Sequence, residues 1–371
     1  MIMKKLDFKV PFSGFASTTF INCFVSAYLF MEELKSAEPA GTFCSEWENG
    51  SCNSCGNCAT KPQALQERFF FLFDTMCGHS SLRCRFDARP SEMYMIINGE
   101  AENEDSFYDG GSENTVEFLF GFAGYSFETV TDKSRMQSAI TASIDSEKPV
   151  IVKLTGHAVP FCLVTGYDGS GYLLPEFRAA QRCPDRAPTL DEIEVAYIFG
   201  EKTTPKYTLA DGLKRIERVM DSNCRAGLWD EYMKKIGTYG EDSLGGDSPE
   251  GRKKRMSRLA QTMWHLFNCH NFAEVFRAYQ NDDTKHVYDS IESMRALSGE
   301  SFAAERQTIH WRFGYTHDLA WSIIGLDECI NWSDWKAHYY GDMLEVIIKQ
   351  LKENDEAVLE AIREMLKKLK Q

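Results

Sequence analysis

Four cysteines lie close together early in the chain, in a spacing that suits a metal ion. The pattern C-x7-C-x2-C-x2-C is formed by Cys44, Cys52, Cys55 and Cys58. Two residues between cysteines allow both thiolates to reach one metal from a tight turn, and Gly56 eases that turn. Four thiolates complete the tetrahedral shell of a structural zinc ion, and an iron–sulfur cluster is the alternative. The sequence therefore predicts a closed, structural metal site.

A second group that could do chemistry is a cysteine and a histidine far apart in the chain. A cysteine nucleophile needs an imidazole beside it, and the start of a helix lowers the pKa of a thiol. Cys23 follows "STTFIN", whose side chains suit the start of a helix, and His157 opens an apolar run. A third polar group should orient the imidazole from the next strand. Glu176 is the first candidate for this group, and Asp168 is the second.

Both members of this pair also have a structural interpretation. Cysteine is among the most buried residue types, and Cys23 lies in an apolar segment. His157 can equally be a hydrogen-bonded structural histidine. The catalytic hypothesis gives Cys23 as nucleophile, His157 as general base and Glu176 as the orienting group.

The elements around these residues change character along the chain. The first part favours helices, for example "PQALQERFFFLFDTMCG" with Gly78 as its stop. Short β-rich runs separated by turn residues follow. These predicted strands are "KPVIVKL" (148–154), "HAVPFCLVTGY" (157–167), "GYLLPEF" (171–177) and "VAYIFGE" (195–201). The sequence predicts an α+β fold for this part, with helices in front of an antiparallel sheet.

Beyond "EKTTPKYT" (201–208), nearly all segments have helical spacing of apolar residues. The last segment shows it in Leu344, Ile347, Ile348 and Leu351. We therefore predict two domains. An α+β domain spans 1–204, with the cysteine-rich insertion at 42–60, and an all-helical domain spans 205–371.

The order of motifs in the first domain resembles that of papain-like cysteine hydrolases. An early helix with a cysteine precedes "KPVIV", then a histidine strand ending in "VTGYD", then another strand. The nearest groups are proteins like the bacteriocin-processing peptidases and proteins like the butirosin-biosynthesis acyltransferases. The resemblance covers residues 10–200 and leaves the helical half aside. It implies a papain-like fold and a hydrolase or acyltransferase acting on an amide or thioester.

The chain departs from these groups at two places. The peptidase-like groups carry Asp-Pro after the histidine strand, where this chain has Pro175-Glu176. The butirosin-like group has Cys-x-Ser-Thr followed by Asn, and on "FASTTFIN" its nucleophile position falls on Phe15. In that register the protein is a catalytically inactive relative that binds a small ligand or peptide. A zinc-clipped interaction module, whose helical half recruits a partner, is a further alternative.

The composition limits the classes of partner that the protein is expected to bind. The chain has 371 residues, 43% of them hydrophobic, and a formal net charge of −14. Such an acidic surface disfavours nucleic acid or an anionic membrane as the partner and leaves a small molecule or peptide. The apolar stretch 20–31 is too short to span a bilayer and has no cleavage site after it. We therefore expect a cytoplasmic protein with reduced thiols, and the oligomeric state stays open.

Histidines in the second half are a weaker signal. His265 and Cys269 are four residues apart, and His310 and His317 are seven apart, so each pair lies on one helix face. If the two helices pack together, these side chains and Asp318 would line a polar pocket. Histidines that are hydrogen-bonded at a helix interface explain the same pattern.

Overall fold

The computed structural model describes residues 3–8, 19–32, 62–83, 115–155, 161–175, 187–236, 249–280, 285–329 and 336–370. The helices are α1 (Thr19–Met31), α2 (Pro62–Met76), α3 (Thr115–Ala123), α4 (Lys133–Asp145), α5 (Leu209–Arg225), α6 (Leu228–Ile236), α7 (Pro249–Met263), α8 (Asn268–Ala278), α9 (Lys285–Tyr288), α10 (Ala303–Cys329) and α11 (Lys336–Lys368). The strands are β1 (Lys4–Lys5), β2 (Tyr125–Val130), β3 (Val150–Leu154), β4 (Phe161–Val164), β5 (Gly166–Asp168), β6 (Gly171–Leu173) and β7 (Ile193–Lys202).

These elements form an α+β fold with two compact units. Unit 1 comprises the described residues of Met1–Phe73 and Leu119–Lys206, and unit 2 those of Asp74–Phe118 and Tyr207–Gln371. Unit 1 carries both antiparallel sheets, and unit 2 is helical. The α+β class predicted for the chain is confirmed. Of the helices in the described ranges, none combines the length and apolar composition that crossing a bilayer requires.

The larger sheet of unit 1 has the strand order β2-β7-β3-β4, and all its pairs are antiparallel. Val152 lies opposite Cys162 on one side and Ala196 on the other. All three are buried, as are Ile151 and Leu163 on the opposite face. The sheet is therefore covered on both faces, which explains why its middle strands are continuously apolar.

The predicted strand 157–167 contains two strands, β4 and β5, which pair in different sheets. β4 pairs with β3, whereas β5 pairs with β1 and β6 in a second, three-stranded sheet. Gly166 makes this possible, because a Cβ there would lie 2.7 Å from the Lys4 carbonyl oxygen. A larger residue would keep β1 from approaching so closely.

Helix α1 fills the centre of unit 1 with aromatic rings. Every residue from Phe20 to Phe30 is buried, so this part of the helix is enclosed on all sides. The Phe24 ring lies 5.2 Å from the ring of Phe73 and 5.0 Å from that of Phe120. Such edge-to-face contacts add to the free energy of area burial. Because α1 also packs on β3 and β4, it fixes one face of the sheet.

Unit 2 is built around two long helices. Helix α10 packs against α7, α8 and α11, and α11 also packs against α5 and α6. Helix α5 begins with a capping box, in which Thr208 and Asp211 satisfy each other's backbone N–H groups. Its buried apolar residues recur every three or four positions, as expected for a helix with one face in a core.

Candidate functional site

Cys23, the predicted nucleophile, lies inside the core of unit 1. It is the fifth residue of α1, and none of its surface is exposed. Its neighbours in sequence, Asn22 and Ser26, are also fully buried. A thiol in this position is closed to solvent and to any substrate in the conformation described.

The first turn of α1 lies beside the first residue of β4. The Phe20 ring is 5.2 Å from the ring of Phe161 and 5.5 Å from that of Tyr197. His157 precedes Phe161 by only four residues in sequence. His157, Glu176 and Phe15 all lie outside the described residues, so their roles stay predictions.

Asp168, the second candidate for the orienting group, is engaged in the β5–β6 turn. Its Oδ1 accepts hydrogen bonds from the Ser170 backbone N–H and hydroxyl, both at 2.6 Å, and from the Gly171 N–H at 3.1 Å. The hydrogen bonds from Ser170 hold the pKa of this carboxyl below its ordinary value. The carboxylate therefore stabilises the tight turn between the two strands.

The four clustered cysteines, Cys44, Cys52, Cys55 and Cys58, also lie outside the described residues. Within the described ranges, no three histidine, cysteine or acidic side chains come together in a way that could hold a metal ion. The predicted zinc site therefore stays a prediction from spacing alone.

The histidines singled out in the second half have different neighbours from one another. His317 lies beside His270, with ring centroids 5.0 Å apart, and accepts a hydrogen bond from the Trp321 indole N–H at 3.0 Å. The His310 ring lies 5.4 Å from the Trp311 ring and is tilted from it by 48°. Burial lowers the pKa of both His270 and His310, which favours neutral rings. These contacts fit histidines at a helix interface.

Cys269 instead faces a buried arginine. Arg83 is fully buried and binds Asp355 through two hydrogen bonds, at 2.7 and 3.1 Å. Asp355 also accepts the Trp229 indole N–H at 2.9 Å, and an Arg83 N–H lies 3.4 Å from the Cys269 sulfur. Burial raises the pKa of the Cys269 thiol to about 12 despite the nearby Arg83 charge. The thiol is therefore protonated at neutral pH.

A second buried polar cluster in unit 2 joins the end of α2 to the start of α3. His79 lies between the Asp74 carboxylate and the Thr115 hydroxyl, with Nδ1 3.7 Å from Asp74 Oδ1 and Nε2 3.4 Å from Thr115 Oγ1. Arg215 donates to the same hydroxyl at 3.2 Å. This is the order of groups found in hydroxyl nucleophile sites.

We did not single out this cluster from the sequence. The signal was the stretch "DTMCGHSSLR", which places a carboxylate, an imidazole, three hydroxyls and a guanidinium directly after the apolar run "FFFLF". All of these polar side chains are buried. Thr115 and Arg215 are distant in sequence, so only packing brings them to His79.

Comparisons of this chain with protein families, with curated proteins and with solved structures found no match. The function must therefore be argued from the residues and their geometry.

Proposed function

We propose that unit 1 is a papain-like domain that binds a small acyl or peptide ligand and does not use Cys23 as a nucleophile. The observation that carries this proposal is the complete burial of Cys23 in a helix that is buried on all sides. A nucleophile must reach both its substrate and its base. The register with Phe15 at the nucleophile position then accounts for "FASTTFIN", with Asn22 in the asparagine position.

A specific contact supports a second candidate function, that of a cysteine hydrolase or acyltransferase using Cys23, His157 and Glu176. The start of α1 packs on the start of β4, through Phe20 and Phe161. That contact supports an arrangement in which a residue near the start of α1 meets a histidine just before β4. It favours the papain-like fold for both candidates, and it leaves the identity of the nucleophile to experiment.

Alkylation of the folded protein distinguishes the two candidates. We expect iodoacetamide at pH 6 to 8 to leave Cys23 unmodified while Cys224, which is only partly buried, reacts. Burial raises the pKa of Cys224 to about 11, so even this reaction will be slow. Mass spectrometry of the digested protein gives the extent at each cysteine, with the four clustered cysteines scored separately.

The variant Phe15→Cys supplies the positive test. If residue 15 occupies the nucleophile position, the introduced thiol should react at pH 6 faster than Cys224, and His157→Ala should abolish that advantage. The matched control is His157→Ala in the otherwise unchanged chain, which should not alter the reactivity of Cys23. Rapid, His157-dependent alkylation of Cys23 would overturn the proposal and restore the enzyme candidate.

A further inference from the structure

Asp74 is held in a fixed orientation inside unit 2. Its Oδ2 accepts hydrogen bonds from the Ser80 hydroxyl at 2.6 Å and from the Asn271 amide at 3.1 Å. Among the described residues, neither its Oδ1 nor His79 Nδ1 has a hydrogen-bond partner, although both atoms are buried. These two atoms face each other at 3.7 Å.

Asp74 Oδ1 and His79 Nδ1 are therefore placed to be each other's hydrogen-bond partners, at a distance slightly longer than that of an ordinary hydrogen bond. A small closure completes an N–H···O bond from His79 Nδ1 to the carboxylate. Unliganded sites commonly hold such pairs at long distances that tighten when substrate binds. With the proton on Nδ1, the other ring nitrogen, Nε2, carries the lone pair.

Thr115 lies on that other side of the imidazole. Its Oγ1 is 3.4 Å from His79 Nε2 and accepts a hydrogen bond from Arg215 Nη2 at 3.2 Å. Arginine can only donate, so with the His79 proton on Nδ1 the Thr115 hydroxyl is the donor to Nε2. Arg215 is itself fixed by its Nε bond to the Cys77 carbonyl at 2.6 Å and by the Phe118 ring beneath it.

We propose that Thr115, His79 and Asp74 form a hydroxyl–imidazole–carboxylate site in unit 2 that takes up an activated acyl group from an ester or thioester. Thr115 is only partly buried and is the first residue of α3. The positive end of a helix dipole and the Arg215 charge both stabilise an alkoxide or oxyanion there. This activity is separate from the ligand binding proposed for unit 1 and does not involve Cys23.

The reaction balances without any further reagent except water. Thr115 Oγ1 forms a bond to the acyl carbon as its proton passes to His79 Nε2. The bond from that carbon to the leaving oxygen or sulfur then breaks, and His79 returns the proton to the leaving group. Water repeats the sequence on the Thr115 ester and releases the acid. Asp74 is a positioning residue, which holds the ring and stabilises the imidazolium.

A fluorophosphonate probe tests the site in the full-length protein. The threonine oxygen would displace fluoride from phosphorus, and His79 would take the proton. We expect a single adduct at Thr115, located by mass spectrometry. Thr115→Val should abolish the adduct, Thr115→Ser should retain it, and His79→Gln should slow it about 100-fold or more.

Thr208 provides the matched control. It is also a hydroxyl at the start of a helix, but its partner is the Asp211 carboxylate and not a histidine. Thr208 should form no adduct, and Thr208→Val should leave the reaction at Thr115 unchanged. An independent readout is the histidine tautomer, because ¹⁵N NMR should find the His79 proton on Nδ1 in the wild type and should lose that preference in Asp74→Asn.

Three results would each overturn the proposal. The first is no adduct at Thr115 while a serine hydrolase in the same reaction is labelled. The second is an adduct whose rate does not depend on His79. The third is a His79 proton on Nε2. If His79→Gln fails to fold, the comparison of Thr115→Val with Thr115→Ser and the wild-type tautomer still decide the matter.

Discussion

Arg83 has no exposed surface, so its guanidinium depends entirely on partners within unit 2. Asp355 supplies the neutralising charge through a bidentate ion pair, and the Ser80 and Leu82 carbonyls accept further hydrogen bonds from Arg83. Opposite charge at this distance raises the pKa of Arg83 even against the cost of its burial. A buried ion pair of this kind is far more sensitive to loss of one partner than an exposed pair.

The variant Asp355→Asn should therefore destabilise unit 2 strongly. It leaves a buried cation without its counter-charge, and we expect the free energy of unfolding to fall by about 3–5 kcal/mol. Asp230→Asn is the matched control, because Asp230 pairs with Lys352 at 2.9 Å on the surface. That change should cost less than about 1 kcal/mol. Urea unfolding measures both, and equal small losses would show that Arg83 does not need Asp355.

Individual residues also show how much of the candidate sites could be predicted from the sequence. The helix that contains Cys23 was predictable from its apolar run, but the direction in which the sulfur points was not. Burial on all sides of α1 depends on the sheet, on α2 and on α3, which lie up to 180 positions away in sequence. The pairing of His79 with Thr115 depends likewise on the packing of separate helices.

At the scale of elements, the sequence predicted helix ends and strands reliably where a turn residue or the spacing of apolar residues determines the structure. Gly78 ends the α2 segment with a backbone φ of 82°, as its position in "DTMCG" predicts. The runs "KPVIV" and "VAYIFGE" form β3 and β7, with small shifts at the ends. The change of sheet at Thr165 was not predictable, because it depends on β1, a strand of two residues from the start of the chain.

Gly124 joins α3 to β2 and should be intolerant of a side chain. Its φ is 75°, and a Cβ would lie 2.8 Å from the Thr203 carbonyl oxygen. We expect Gly124→Ala to lower the free energy of unfolding of unit 1 by at least about 1–2 kcal/mol from the left-handed backbone alone. Gly314→Ala is the control, because α10 has open space there and alanine favours helix. Circular dichroism during urea unfolding compares the two, and equal stabilities would refute the strain.

At the scale of the whole molecule, helices α2 and α3 each contribute to both units. We predicted one division of the chain, after residue 204. Unit 2 takes the residues from Tyr207 onward and also the described residues of 74–83 and 115–118. A change in the spacing of apolar residues or in composition indicates where one domain ends along the chain. It does not show that an earlier segment of the chain belongs to a later unit. Such an assignment depends on contacts like the Arg215 bond to the Cys77 carbonyl.

The metal content of the purified protein tests the prediction for Cys44, Cys52, Cys55 and Cys58. We expect about one zinc per chain without added metal, because four thiolates fill a tetrahedral zinc shell. Chelation should expose the four thiols to alkylation. Substituting Cys52 and Cys55 by serine should remove the zinc, whereas Cys224→Ser should not. Iron with visible absorption would indicate a cluster instead, and the absence of both metals from reduced, folded protein would refute the site.

The aromatic centre of unit 1 consists of phenylalanine and tyrosine rings, and this has an optical consequence. Of the seven tryptophans, only Trp47 falls within the residue ranges of unit 1, and the other six fall within those of unit 2. Light at the red edge of the ultraviolet absorption band excites indole and not phenol or benzene rings. Emission excited there therefore comes almost entirely from unit 2, with the Trp229 indole beside Asp355 as one of its sources. The phenol rings that pack around α1, those of Tyr28, Tyr125 and Tyr197, stay silent under this excitation, so the indole emission reports unit 2 separately from the aromatic centre of unit 1.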